Sequence, residues 1–287
     1  MPGPIEPVSE LRGEQMRALT AAGWWRAAIV LVPIVVGALA AFALSVGSPV
    51  AVFPLAAGAA VVLGLIGTYL LADSRAKSAF VEAWARSRGW SKDAGTWLDE
   101  ATPLLRDGDR RDSKDHVSGP LGDGQAVLCH YTYEIAHRHS DSQGHTTTDW
   151  EAHDFTVVQT SAGAAGITRL SLHPRSFGDN RLFDRIDSTL TGDRVVELES
   201  SELEREYKLE VADAASDQAV RLLFEPAFIV WCLDQAADEM LLEIENETLV
   251  VAIPEHSYDA AELDALLEKA TTVATRLADA ATTPQVT

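Results

Sequence analysis

The chain of 287 residues has a mean hydropathy of zero yet a formal net charge of −20 at pH 7, from 23 basic and 43 acidic residues. Residues 1–72 hold three of each sign (Arg12, Arg17 and Arg26 against Glu6, Glu10 and Glu14), so the remaining 20 basic and 40 acidic residues all follow residue 72. Such a field repels phosphate backbones and anionic headgroups, which argues against nucleic acid as a partner and against a domain lying flat on a bilayer.

Taken in order, the chain opens with a short polar segment, 1–26, and then turns apolar. Residues 27–46 and 50–71 carry no charge, and each run is long enough to cross about 30 Å of hydrocarbon at about 1.5 Å per residue. Only Gly47, Ser48 and Pro49 separate them, so the second must return antiparallel to the first. Inside lipid the backbone has to satisfy its own hydrogen bonds, which makes both runs helices whatever their β-branched content. The expectation is a transmembrane helical hairpin over 27–72. Arg12, Arg17 and Arg26 precede it, Arg75, Lys77, Arg86, Arg88 and Lys92 follow it, and the turn is uncharged, so both termini are expected in the cytoplasm of a plasma membrane that the chain crosses twice. Trp24, Trp25, Arg26, Tyr69, Arg75 and Lys77 fall where interfacial anchors belong. Small residues repeat every four positions at Gly37 and Ala41 and at Ala56, Ala60, Gly64 and Thr68, faces suited to close packing of the two helices or to self-association. Ala41-Phe42-Ala43 also resembles a signal-peptidase site; cleavage there would leave the second run as a stop-transfer helix and the large domain on the same side.

Beyond the hairpin, 73–115 reads as a helical connector. It continues the second helix through Phe80, Val81, Trp84 and Ala85 until Gly89, adds a short helical stretch through Leu98 and Leu105, and ends in a polar loop at 106–115. An α+β domain, mainly antiparallel, is expected over 116–281, with a frayed tail at 282–287. After turns at 119–124, residues 126–136 and 150–160 read as a long β-hairpin whose Val127, Cys129, Tyr131, Tyr133 and Ile135 share one buried face. Strands are expected at 167–173, 194–199 and 205–211, the last after a turn starting at Ser200. Ser216 opens a helix, Pro226 begins another to residue 237, and Asn246-Glu247 turns between two strands in 240–253. A final helix over 258–280 has Ser257 as its expected cap and Leu263, Leu266, Leu267, Ala270, Val273, Ala274 and Leu277 as its buried stripe.

The run Glu199-Ser200-Ser201-Glu202-Leu203-Glu204-Arg205-Glu206-Tyr207, followed by Ala219, Leu222-Leu223 and Pro226-Ala227-Phe228, resembles an uncharacterised bacterial, actinobacterial-type family of membrane-anchored proteins carrying a domain of unknown function. Leu203 and Glu204 stand where that family usually has Phe and often Asn. The resemblance implies the same order of elements and no activity; Leu203 and Tyr207 would anchor a turn on the core.

Chemistry is sparse. His137, His139, His145 and His153 crowd the tip and edge of the hairpin and are the only weak metal candidates, without a rigid ligand frame such as His-Glu-x-x-His. The cysteines, Cys129 and Cys232, lie too far apart in sequence to suggest a metal motif and read as buried thiols in a reducing compartment. No nucleophile elbow or phosphate loop occurs, and no cofactor or catalytic residue is expected. The leading expectation is a membrane-anchored binding or scaffold module with a protein partner or self-association; the alternative is a membrane-associated hydrolase or metal-dependent enzyme built on the histidine-bearing hairpin. A deep polar cleft would favour the enzyme and an exposed apolar groove the binding module.

Overall fold

The computed structural model describes residues 5–22, 25, 28, 31–37, 40, 49–92, 98, 100–140, 146–161, 167–177, 193–198 and 200–282, and the chain divides into two units, 1–84 and 85–287. In the first unit, α1 (Val8–Ala21) is followed by helical backbone at 25, 28, 31–37 and 40, and then by α2, Pro49–Ser87. Its 39 residues amount to about 58 Å of helix, so α2 outruns a bilayer core and continues past Asp73 into polar sequence. Among the described residues one helix, Ala56–Ser87, is long and apolar enough to cross a membrane. The expected hairpin therefore appears only in its second limb: most of 27–46, with the turn at 47 and 48, lies outside the described residues.

The end of α2 is a glycine stop. Gly89 adopts φ +74°, its N–H donates to the carbonyl of Arg86, and that of Trp90 reaches back to Ala85. These two bonds satisfy the last carbonyls of the helix, and a side chain at the left-handed position would be strained.

Among its described residues the second unit has nine antiparallel strands: β1 (Ser91–Lys92), β2 (Arg110–Leu121), β3 (Gly124–Ser140), β4 (Thr146–Ser161), β5 (Arg169–Pro174), β6 (Asp193–Val195), β7 (Tyr207–Ala212), β8 (Leu241–Glu245) and β9 (Thr248–Pro254), in the spatial order β1-β2-β3-β4-β9-β8-β5-β7-β6. The interleaved helices are α3 (Pro103–Arg106), α4 (Ser201–Glu206), α5 (Asp217–Leu223), α6 (Pro226–Asp234) and α7 (Ala260–Thr282). An α+β class with a large antiparallel sheet is thus what the chain forms. On one face Cys129, Tyr131, Tyr133, Ile135, Phe155 and Val157 pack with Val250, Ala252 and Leu241 under Leu98, Leu104 and Leu105, and Val127 joins their edge. The other face carries Leu128, Val158, Val251, Leu242 and Leu172, all buried, and α7 contacts β4 and β9 there. The α7 stripe is buried at Leu263, Leu266, Ala270, Val273 and Leu277, with Leu267 and Ala274 partly covered.

Four local expectations need correction. Residues 110–121 are a strand, not a polar loop and turn: the first half of β2 is exposed on both faces, so backbone pairing to β3 forms it and side-chain periodicity leaves no trace. Among the described residues of the stretch expected to be helical through Leu98 and Leu105, helix is confined to Pro103–Arg106. The turn at Ser200 is a short helix capped by the Ser200 hydroxyl, which accepts from the N–H of Leu203, and β7 starts only at Tyr207. The cap of α7 is Asp259, whose carboxylate accepts from Ala261 and Glu262, while the expected cap, Ser257, instead bonds Glu262 by its hydroxyl at 2.6 Å. Asn246 and Glu247 both take positive φ, 48° and 67°, as a tight hairpin turn of the favoured hand requires.

Candidate functional site

The first unit presents an apolar surface. Leu31, Val32, Ile34, Val35 and Val36 are exposed, while Pro33 and Gly37, four apart on one side, are buried; Val62, Leu63, Leu65, Ile66, Leu70 and Leu71 repeat the exposure on α2. At its lower end, Arg12 of α1 hydrogen-bonds the Tyr69 hydroxyl at 2.5 Å, lies over its ring, and pairs with Asp73 at 2.8 Å; Asp73 also holds Lys77 at 2.9 Å. Of the expected anchors, Tyr69 and Lys77 thus meet polar partners, Arg75 is exposed, and Trp25 sits on helical backbone. Trp24, Arg26 and Ala41 fall outside the described residues. Ala60 is partly covered, and Gly64 is exposed with open space where a Cβ would stand.

The histidine-bearing hairpin extends past its neighbours: β2 leaves β3 beyond the Arg110–Glu134 pair, and β9 reaches only Phe155 of β4. On this arm His137 bonds Glu151 at 2.8 Å, His153 stands 3.5 Å from the same carboxylate, and His139 is 3.7 Å from Asp149. His145 lies outside the described residues. Each of the three described imidazoles meets an acid, and no group of three or more metal-binding side chains occurs among the described residues. On the opposite face the guanidinium of Arg110 lies 3.6 Å over the Trp150 ring, which covers the one large aromatic the arm exposes.

Further down the hairpin, outside the four metal candidates, stands the most enclosed histidine among the described residues. His130, with no exposed surface, donates from Nε2 to the carbonyl of Ser257 at 2.8 Å, and its Nδ1 faces Asp115 at 3.2 Å. A bulge between Lys114 and Val117 turns Asp115 inward at φ 56°, where the Tyr258 hydroxyl also donates to it at 3.3 Å. The His256 ring lies 5.0 Å from that of His130, tilted by 44°, and contacts the Thr132 hydroxyl and the Tyr131 carbonyl, each at 3.2 Å. This network pins the entry of α7 to β2 and β3.

Burial lowers the His256 pKa from its ordinary 6.5, against the opposing pull of Asp154, and burial likewise lowers that of His153. The unfolded chain therefore takes up protons at a higher pH than the folded one. The stability held by neutral imidazoles is complete above about pH 6.5 and drains away as pH falls below it. Urea midpoints of the full chain in detergent are expected to drop from pH 7.5 to pH 5, and His256→Gln is expected to shrink that drop; an equal drop in the variant would exclude His256 as its source.

Cys129 and Cys232 are buried, and burial pushes both thiols up to about 12, far from the thiolate a nucleophile needs. A groove of about 750 Å³ opens between the β6 end of the sheet and α5 and α6, with Val220, Phe224, Ile229 and Leu233 in its lining. Its one hydroxyl, Ser200, caps α4. The charged residues Arg194, Glu197, Glu202, Asp217, Arg221 and Glu225 share its lining with these apolar side chains.

No protein-family model matches the chain, and no curated protein matches it in sequence. Among solved structures it is similar to the crystal structure of the mycobacterial trehalose monomycolate transport factor A, TtfA, with 14% identity over 74% of this chain and 99% of that one, at a TM-score of 0.47.

Proposed function

We propose that the chain is a membrane-anchored, non-enzymatic binding or scaffold module: the uncharged runs at 27–46 and 50–71 cross the bilayer as a hairpin, and the acidic second unit stands in the cytoplasm to hold a protein partner or a second copy. The observation that carries this reading is the exposed apolar surface of α2. A core helix of a water-soluble protein buries such residues, at about 25 cal/mol for each Å² removed from water, whereas Leu63, at 68% exposed, and Leu70, at 60%, face outward. Lipid is the solvent in which that surface is stable.

Parity supports the second crossing. Arg12 touches Tyr69 and Asp73, so α1 and the far end of the α2 span lie on one side of any bilayer that α2 crosses. A chain that begins and ends on one side has crossed an even number of times, and 27–46 is the uncharged stretch available for the return. The basic flanks put that side in the cytoplasm. Nucleic acid is disfavoured by the surplus of acid.

Membranes carrying the full chain are to be washed with alkaline carbonate and then extracted with detergent. Retention through carbonate and release by detergent is the expected result; release by carbonate alone would overturn the anchor.

A further inference from the structure

We infer that α6 is the ridge on which a basic, amphipathic helical segment of a partner protein docks, an inference that rests on the binding-module reading above and not on how the chain sits in lipid. The helix reads PAFIVWCLD, apolar at every position but Asp234, yet only Phe228 and Cys232 are buried. Val230 is 58% exposed, Pro226 and Ala227 are exposed, and Ile229, Trp231 and Leu233 are half-covered. A helix apolar on all sides belongs inside a protein or beneath a partner. By contrast α7 buries one stripe and turns charge outward, as a surface helix should.

Two grooves flank the ridge. The first, described above, is about 750 Å³ and is lined from α6 by Ile229, Val230 and Leu233; the second, about 590 Å³, is lined by Ala227, Phe228 and Trp231 with Thr271, Thr272 and Thr275 of α7. Trp231 lies flat against Phe228, ring centres 5.3 Å apart and planes 12° apart, so a large aromatic is already held in place at low entropic cost. Rigid aromatics of this kind are the usual anchors of a protein interface. A groove on either side of a short apolar ridge suits the spaced apolar side chains of an amphipathic helix.

Charge selects the partner. Glu197, Glu202 and Asp217 edge the first groove, Glu225 lies between the two, and Glu268 and Asp279 edge the second, against Arg194, Arg221 and Arg276. Arg194 is paired with Asp217, and Arg276 with Glu225 at 2.5 Å. The surplus is acidic, in a chain of net charge −20. A second copy and an anionic bilayer are both repelled; a helix with lysine or arginine flanking its apolar face is attracted.

The test uses the full chain in detergent and a fluorescent leucine–lysine helical peptide of about 18 residues, long enough to hold a helix, with a leucine–glutamate twin as the charge control. Binding of the lysine peptide, weakened by salt and lost about tenfold, or ~1.4 kcal/mol, in Val230→Asp, is the expected result, with no binding of the twin. Val230 is exposed, so the variant should keep the wild-type unfolding midpoint; Ala227→Asp, on the second groove, gives an independent reading. Equal binding by wild type and both variants would reduce the attraction to net charge and overturn the proposal. So would dimerisation, or capture of neutral vesicles by the detergent-free chain in nanodiscs, that Val230→Asp abolishes, because these assign α6 to a second copy or to lipid. Failure of this binding leaves carbonate retention untouched, so the two readings fail separately.

Discussion

Gly119→Ala is expected to destabilise the second unit by about 3 kcal/mol, at the upper end of what overpacking a filled site costs. A Cβ at that position would stand 2.3 Å from Cγ, 2.4 Å from Cδ1 and 2.6 Å from Cδ2 of Trp90, inside the ring's own contact radius. The indole cannot step aside easily. Trp90 is 5% exposed, its backbone N–H is tied to Ala85 by the glycine stop at the end of α2, and the next two residues pair with Ser118 and Val117 of β2. Relief would have to break that short ladder or the helix end. Urea unfolding of the full chain in detergent measures the loss. In a Trp90→Ala background, itself destabilised by the loss of a buried indole, the Gly119→Ala step should cost little, since the smaller side chain removes the collision; an undiminished cost in that background would place the strain elsewhere. An unchanged midpoint in Gly119→Ala would mean that the ring is not seated on the strand.

The Trp90–Gly119 contact also illustrates what sequence reading could reach. Gly89 announced the end of α2 by residue type alone, but nothing in RDGDRRDSKD marks a strand. From Arg110 to Lys114 its side chains are mostly exposed on both faces, and the pairing that orders it comes from β3. Where one face is buried, the pattern spoke plainly: Cys129, Tyr131, Tyr133 and Ile135 alternate into the core as their spacing predicts, and Pro226 starts its helix. The polar network was hidden because its members are far apart in the chain, His130 meeting Asp115 across 15 positions and Ser257 across 127. The histidines that drew notice, His137, His139 and His153, are the ones paired with acids on an exposed arm. The α6 ridge fails differently. Its composition is that of a core helix, and only its lack of cover, a property of its neighbours, makes it a surface.

Removing residues 27–46 is expected to move the N-terminal segment to the opposite side of the membrane while leaving the second unit where it was. On the hairpin topology proposed above, one span would be left, the two ends of the chain would part, and the orientation would fall to the balance of basic flanks. Arg75, Lys77, Arg86, Arg88 and Lys92 outnumber Arg12, Arg17 and Arg26, so on that proposal the C-terminal flank is expected to stay in the cytoplasm and α1 to be exported, giving up its pairing with Asp73. The chain supplies its own clean background for thiol labelling, because Cys129 and Cys232 are buried and protonated. Single cysteines at exposed positions then report the two sides: Ser9→Cys on α1 and Gln218→Cys on α5. In the full chain both should resist an impermeant maleimide on intact cells and react after lysis. In the deleted chain Ser9→Cys should label from outside, with Gln218→Cys still protected. Labelling of Ser9→Cys with Gln218→Cys still protected in the intact full chain would break the parity argument at its root, since Arg12 could then not share a side with Asp73; labelling of both would reverse the orientation instead.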